Sequence, residues 1–258
     1  MRHGSLSVYL RDPRRREPYW SLNLYREAGE AGGCLRVPER GEPRGWPTDP
    51  ERSAVEASRR ARGQIRRYCA ANRLNRLGTL TYRGAGCHDP VQLRDNVGGF
   101  FKALRQALGG EAFPYLWVPE WHPGGHGLHV HFAVGRYVRQ TLIRDTWGRG
   151  HVHIKLLSNL PVGSGALEEA RVSARYLSKY ATKALDQDEM GGPRRPGLHR
   201  YEVAQGFQPQ AINCVGQTFE DVVTQASQVM GAAPVQVWQS ANEEQWRGPP
   251  ACWIAWAA

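Results

Sequence analysis

The stretch YLWVPEWHPGGHGLHVHFAVGRY, residues 115–137, decides the fold of this chain. Its two apolar runs, 115–122 and 128–137, indicate β-strands, and the PGGHG between them is typical of a hairpin turn. Pro119 has no backbone N–H, so it indicates a bulge or an edge position in its strand. The stretch therefore predicts two neighbouring antiparallel strands joined by a tight turn.

The same hairpin carries a candidate set of metal ligands. His129 and His131 flank Val130, so strand alternation places both imidazoles on one face. If the hairpin turns around its two adjacent glycines, Glu120 lies opposite His129, at cross-strand contact distance. Two imidazoles and one carboxylate with open positions suit a catalytic metal that also receives a substrate oxygen. Two histidines on a half-polar sheet face, without a metal, are the alternative.

A second His-Val-His sequence competes with the first. His151 and His153 lie on HVHIKLL, residues 151–157, which also alternates like a strand. This pair lacks an upstream acid placed as Glu120 is, so it is the weaker metal candidate. Iron oxygenases use a similar ligand set, but nothing else in the chain indicates a substrate for one.

A tyrosine–lysine helix is the second decisive feature. In YLSKYATK, residues 176–183, Tyr176, Lys179, Tyr180 and Lys183 recur at i, i+3, i+4 and i+7, which places them on one stripe. A tyrosine hydroxyl is a poor nucleophile while protonated, with an ordinary pKa of about 10. A nearby lysine stabilises the phenolate, and a metal on the reacting phosphate offsets developing charge. Alternatively, both rings pack in a core with their hydroxyls at its rim.

The remaining patterns fix the fold class. Four helices are predicted: over about 51–75, from Asp89 to the Gly-Gly at 109–110, over 139–147 and through the tyrosine–lysine segment. A further strand is predicted at LGTLTY, residues 77–82. Their order predicts an α+β fold, an antiparallel sheet with helices segregated to one side. Residues 1–50, rich in Arg, Gly and Pro, are expected to be an irregular extension, 51–207 the central domain, and 208–258 a C-terminal extension.

Composition indicates a polyanionic partner and no membrane. Lys and Arg number 34 against 24 Asp and Glu, a formal net charge of +10. Five scattered cysteines without a CxxC pair argue against a zinc ribbon and favour a reducing, cytoplasmic setting. Neither a signal peptide nor a long apolar span is evident. A basic helix face is expected to contact phosphates, unless it is merely solvated: Arg59, Arg60, Arg62, Arg66, Arg67 and Arg73.

Taken in order, three motifs resemble those of a known family. TLTY at 79–82, HVH at 129–131 and YLSKY at 176–180 followed by Lys183 resemble the motifs of HUH rolling-circle replication initiators (Rep proteins). Among these, Gram-positive and actinobacterial plasmid proteins and two-tyrosine phage initiators are the most similar types. The resemblance covers about 51–207. It implies an HUH endonuclease fold, a central ferredoxin- or RRM-like antiparallel sheet with helices packed on it.

The resemblance also implies an activity. Mg²⁺ or Mn²⁺ would be held by His129, His131 and Glu120. A tyrosine would nick single-stranded or hairpin origin DNA, leaving a 5′-phosphotyrosine link and a 3′-OH primer. By the family's pattern, Tyr180 with Lys183 is expected to attack first, and Tyr176 with Lys179 to act second.

The expected partners are the origin DNA and a host helicase and polymerase, because no G-x4-G-K-[ST] motif for a fused helicase occurs. A transposase or relaxase of a mobile element, which shares this chemistry, is an alternative function. So is a catalytically inactive DNA-binding regulator that keeps the fold.

Overall fold

The computed structural model describes residues 17–37, 50–155, 165–186, 201–246 and 248–257, and of 50–52, 54 and 180–186 it describes only the backbone. The chain divides into two compact units: one holds residues 49–209 and the other combines 1–48 with 210–257. Among the described helices, none has both the length and the apolar character needed to cross a bilayer.

Ten strands and five α-helices are described, together with 3-10 turns at Arg26–Ala28 and Ser240–Asn242. The strands are β1 (Tyr19–Tyr25), β2 (Glu30–Arg36), β3 (Arg76–Leu80), β4 (Tyr115–Trp121), β5 (Leu128–Val134), β6 (Val152–Lys155), β7 (Glu202–Val203), β8 (Ile212–Gly216), β9 (Gln236–Gln239) and β10 (Ala251–Ala255). The helices are α1 (Pro50–Ala71), α2 (Pro90–Ala107), α3 (Gln140–Trp147), α4 (Ala166–Asp186) and α5 (Phe219–Met230).

The unit of residues 49–209 is built on an antiparallel sheet with the order β6-β3-β5-β4-β7. The predicted hairpin forms its centre, since β4 and β5 are paired without a bulge from Tyr115–Val134 to Trp121–Leu128. Among the described residues, β7 pairs with β4 at Leu116 and Trp117, and the edge position of Pro119 stays a prediction. The predicted α+β fold is confirmed.

Helices cover both faces of this sheet, so the prediction that they lie on one side is wrong. Helices α2 and α3 pack on the face of Val130, Phe132 and Trp117, whereas α1 and α4 pack on the face of Leu116 and Ala133. All seven residues of β5 are buried. Because a central strand buried on both faces needs cover on both, one layer of helices would have left half of its side chains in water.

The hairpin turn depends on close backbone approach. Gly127 has a φ of 78°, and a Cβ there would lie 2.3 Å from the carbonyl oxygen of Cys87. The N–H of Leu128 donates to that same oxygen at 2.6 Å. Only glycine fits such a position, so the turn fixes the register in which the strand of the histidines leaves it.

The second unit contains another antiparallel sheet, of order β8-β1-β2-β10-β9, with α5 packed on it. Strands β1 and β2 fall in 1–50, so the prediction of irregular structure there is wrong for the residues that form them. The tertiary reason is that Leu22 and Leu24 of β1 are completely buried in a core with Val222 and Ala226 of α5. Strands β8 and β10, which are distant in sequence, pair with β1 and β2 respectively and extend this sheet on both sides.

Candidate active site

The register of β4 and β5 brings the three predicted metal ligands together. Glu120 pairs with His129, and His131 follows on the same face. Glu120 Oε2 lies 3.0 Å from His129 Nε2 and 2.9 Å from His131 Nε2, and the two Nε2 atoms are 3.1 Å apart. Their exposed fractions are 8%, 8% and 5% in the order Glu120, His129, His131. Three ligand atoms therefore converge on one point in a largely dehydrated place.

The geometry of this cluster fits a divalent cation. In an octahedral site with metal–ligand distances of about 2.1 Å, adjacent ligands are about 3.0 Å apart. The three separations match the edges of one triangular face of that octahedron, which leaves the opposite face for other ligands. Among the described residues, Glu120, His129 and His131 are the one set of histidine, cysteine or carboxylate side chains whose ligand atoms lie close enough together to hold a metal ion.

Thr79 orients one of the imidazoles. It lies on β3 directly opposite His131, and its Oγ1 is 3.1 Å from His131 Nδ1. A metal-ligating Nε2 must carry a lone pair, which requires the hydrogen on Nδ1, and Thr79 Oγ1 is placed to accept it. Thr79 belongs to the TLTY motif, but its pairing with His131 is not evident from the sequence alone.

Tyr176 lies against the cluster. Its ring is 5.8 Å from the ring of His131, edge to face at 86°, and Lys155 Nζ sits 3.9 Å from its centroid. Helix α4 holds the ring there because Ala174 and Leu177 are buried against the sheet. Tyr176 is half-buried, whereas Lys179 is exposed. Lys155 was missed, although alternation along HVHIK places it on the histidine face.

The side chains of Tyr180 and Lys183 lie outside the described part of the structure, which gives only their backbone on α4. Their positions one helical turn beyond Tyr176 and Lys179 follow from helix geometry. The order in which the two tyrosines act therefore stays a prediction.

Two other tyrosines near the sheet are buried or half-buried, and their hydroxyls form hydrogen bonds within the protein. Burial raises the pKa of Tyr82 to about 12, and its hydroxyl accepts a hydrogen bond from Asn96 at 3.1 Å. Burial likewise raises the pKa of Tyr68, whose hydroxyl donates to the carbonyl of Ala204 at 3.1 Å. Burial thus disfavours the phenolate at both positions, which makes these tyrosines less suited to nucleophilic attack.

Further histidines surround the metal cluster without joining it. The exposed His122 has its ring 5.7 Å from that of His129 and 5.3 Å from that of His126. The rival pair, His151 and His153, lies on or beside the edge strand β6, and both side chains are exposed. Within the described ranges they are not part of the metal-ligand group.

The basic helix is α1, and its arginines differ in their surroundings. Arg59, Arg60 and Arg62 are exposed, while Arg66 and Arg67 are half-buried. Arg73 lies beyond the end of the helix, where its guanidinium donates to the carbonyl of Ala70. Burial, followed by the nearby charge of Arg171, lowers the pKa of Arg73. Arg73 thus caps the C-terminal end of α1 and is not part of the predicted basic helix face.

The segment that contains the metal cluster matches a known protein family. Residues 75–185 match the family model of the replication-associated protein ORF2. The match supports a role in replication initiation and, with it, DNA binding. It covers less than half of the 258 residues, but it includes the metal cluster, Thr79, Lys155 and both tyrosines. Comparison with curated proteins and with solved structures gives no match.

Proposed function

We propose that this protein is a metal-dependent endonuclease that nicks single-stranded origin DNA by tyrosine attack and so initiates rolling-circle replication as an HUH-type Rep protein. One observation carries the proposal: the cluster of Glu120, His129 and His131 has Tyr176 against it, inside the segment that matches the replication-associated family. A buried ligand set alone would suit many metalloenzymes. A phenol beside it suits transfer of a phosphoryl group to tyrosine.

The residues that would hold the cation are Glu120, His129 and His131, and Mg²⁺ or Mn²⁺ is the proposed ion. When bound, it would supply positive charge to the oxygens of the scissile phosphate. Two imidazoles among three protein ligands favour Mn²⁺, because Mg²⁺ prefers oxygen ligands. A cation held by these three side chains would have coordination positions left for phosphate oxygens.

The tyrosine step is a transesterification. The phenolic oxygen forms a bond to phosphorus, the phenolic proton leaves, the P–O3′ bond breaks and the 3′-oxygen takes up a proton. The phosphodiester is retained as a 5′-phosphotyrosine, so no nucleotide cofactor is needed. We assign the first attack to Tyr180 with Lys183 and the second, which resolves the finished circle, to Tyr176 with Lys179. The contact of Tyr176 with His131 supports a reacting position for that ring.

The substrate and partners follow from the same chemistry. An excess of cations fits a DNA strand, and the arginines of α1 would contribute contacts to phosphates independent of sequence. The free 3′-OH would prime a host polymerase, and a host helicase would separate the strands. In this proposal residues 51–207 form the endonuclease domain.

The test is covalent capture. A hairpin-bearing single strand from the encoding replicon, labelled at both ends, is incubated with protein and Mn²⁺, or with EDTA, and resolved on a denaturing gel. With Mn²⁺ only, we expect the 3′ label in a protein–DNA adduct and the 5′ label in a shortened strand with a new 3′ end. His129→Ala and His131→Ala should abolish the adduct. Nicking that persists in both variants would move the metal site to His151 and His153.

The tyrosine assignment needs matched variants. Tyr180→Phe should remove the first adduct, Tyr176→Phe should retain it while blocking its resolution, and Tyr137→Phe, at a side chain 73% exposed, serves as the control. An adduct lost in Tyr176→Phe and kept in Tyr180→Phe would reverse the order. Specific DNA binding without an adduct under any condition would instead identify a catalytically silent regulator.

A further inference from the structure

The second His-Val-His sequence lies on the same face as the metal cluster, at the edge of the sheet. His153 is in register with Thr79, and Thr79 is in register with His131, so the three share one row across β6, β3 and β5. Since neighbouring strands are about 4.8 Å apart, His153 lies about 10 Å from His131. Strand alternation places His151 and Lys155 on the same face as His153.

These three side chains, His151, His153 and Lys155, here called the β6 track, have the character of a binding surface. All of them are exposed, and in the described sheet no strand pairs with the outer edge of β6. Lys155 makes no ion pair within the described ranges, and its ammonium contacts the ring of Tyr176. The track therefore runs along the sheet edge and reaches the reacting face at Tyr176.

Positive charge continues past Lys155. A cavity of about 270 Å³ beside it is also lined by Arg76 and Arg136, with Glu169 as the carboxylate in its described lining. The side-chain amide of Asn75 donates to Glu169 at 2.5 Å. Three cations against one hydrogen-bonded carboxylate make this end of the sheet electropositive, which complements a polyphosphate chain.

We propose that the β6 track binds phosphates of the single-stranded DNA next to the scissile position, with Lys155 both contacting a phosphate and steadying the ring of Tyr176. Lys155 is thus a positioning residue, and His151 and His153 serve the substrate strand and not a second metal. In the described structure no third histidine, cysteine or carboxylate is grouped with them, as a second metal site would require. The inference rests on the proposed function but concerns strand binding, which requires no metal.

The experiment measures binding of fluorescein-labelled oligo(dT)20 by anisotropy in EDTA, over a series of KCl concentrations. We expect Lys155→Gln to weaken binding about 3- to 5-fold. It should also lower the slope of log K against log salt by about 0.7, the change for one lost single-strand phosphate contact. Lys155→Arg should restore the slope. His153→Gln should weaken binding without changing the slope by as much as Lys155→Gln does.

Lys102→Gln is the matched control, because Lys102 is an exposed lysine of α2 on the opposite side of the same sheet. Equal effects of Lys102→Gln and Lys155→Gln, or an unchanged slope in Lys155→Gln, would overturn the proposal. So would tighter binding of a 20-bp duplex with the same dependence on Lys155. The binding assay contains no metal and does not depend on nicking. If the wild type fails to nick in the separate Mn²⁺ assay, the proposed function is refuted, but the measured contribution of Lys155 to single-strand binding is unaffected.

Discussion

Replacement of Thr79 by valine tests the metal centre through a residue that does not touch the cation. The substitution keeps the shape of the side chain and removes the oxygen that lies 3.1 Å from His131 Nδ1. His131 then loses the partner that holds hydrogen on Nδ1 and the lone pair on Nε2. Loss of such a supporting partner lowers metal affinity about 10- to 100-fold, or about 1.4 to 2.7 kcal/mol.

The affinity change can be read from stability. At a Mn²⁺ concentration about 100 times the wild-type Kd, binding raises the free energy of unfolding of the wild type by about 2.7 kcal/mol. At the same concentration Thr79→Val should gain only about 1.4 kcal/mol if its affinity falls 10-fold, and about 0.4 kcal/mol if it falls 100-fold. Urea unfolding with and without Mn²⁺ measures these gains, and calorimetric titration gives the Kd directly.

Thr81→Val is the matched control. Thr81 follows two residues later on the same face, but its hydroxyl donates to the backbone carbonyl of His151 at 3.3 Å and not to a ligand. This variant should bind Mn²⁺ as the wild type does. Equal affinity of Thr79→Val and wild type would refute the orienting role of Thr79. Equal weakening in both threonine variants would show a general disturbance of the strand.

Two further predictions concern the fold. Gly78→Ala should destabilise the sheet by about 1–3 kcal/mol, because its Cβ would lie 2.4 Å from the ring of Phe132. Gly98→Ala should instead stabilise the protein by about 0.5–1 kcal/mol, because Gly98 lies in helix α2 and a Cβ there would have nothing within 4 Å. Urea unfolding of both variants distinguishes the packing effect from the effect of helix propensity. Hydrogen bonds from the backbone and hydroxyl of Thr218 lower the pKa of Asp221 below its ordinary 3.8, so its contribution to stability is present above pH 4 and is lost as pH falls through the folded-state pKa. Unfolding midpoints of Asp221→Asn should therefore fall below those of the wild type at pH 5 and converge with them as the pH falls below the folded-state pKa, and a constant difference would contradict the sign.

The site was more predictable than its surroundings because it depends on local periodicity. The two-residue period of a strand placed His129 and His131 on one face, and the glycines of the turn set Glu120 opposite His129. Thr79 and Lys155 could not be assigned in this way. Their roles arise from pairing of β3 with β5 and β6, and from packing of α4, all between segments distant in sequence.

The second unit was harder to predict for a compositional reason. YWSLNLY alternates correctly for a strand, but it stands among Arg, Gly and Pro, and β2 contains two adjacent glycines. Gly33 is required because a Cβ there would lie 2.0 Å from the carbonyl oxygen of Ser21. By propensity this glycine indicates a loop, but here it is needed because the neighbouring strand lies too close for a side chain.

The sequence by itself determined the α+β class, the central hairpin, the register of its histidines and acid, and the helix that carries the tyrosine–lysine motif, since each depends on residues close together in the chain. Tertiary structure decided which helices cover which face, that residues Tyr19–Tyr25 and Glu30–Arg36 form strands beside β8 and β10, and that Lys155 meets Tyr176. The physical reason is that burial and long-range pairing act between segments whose separation along the chain leaves no periodic signal in either one.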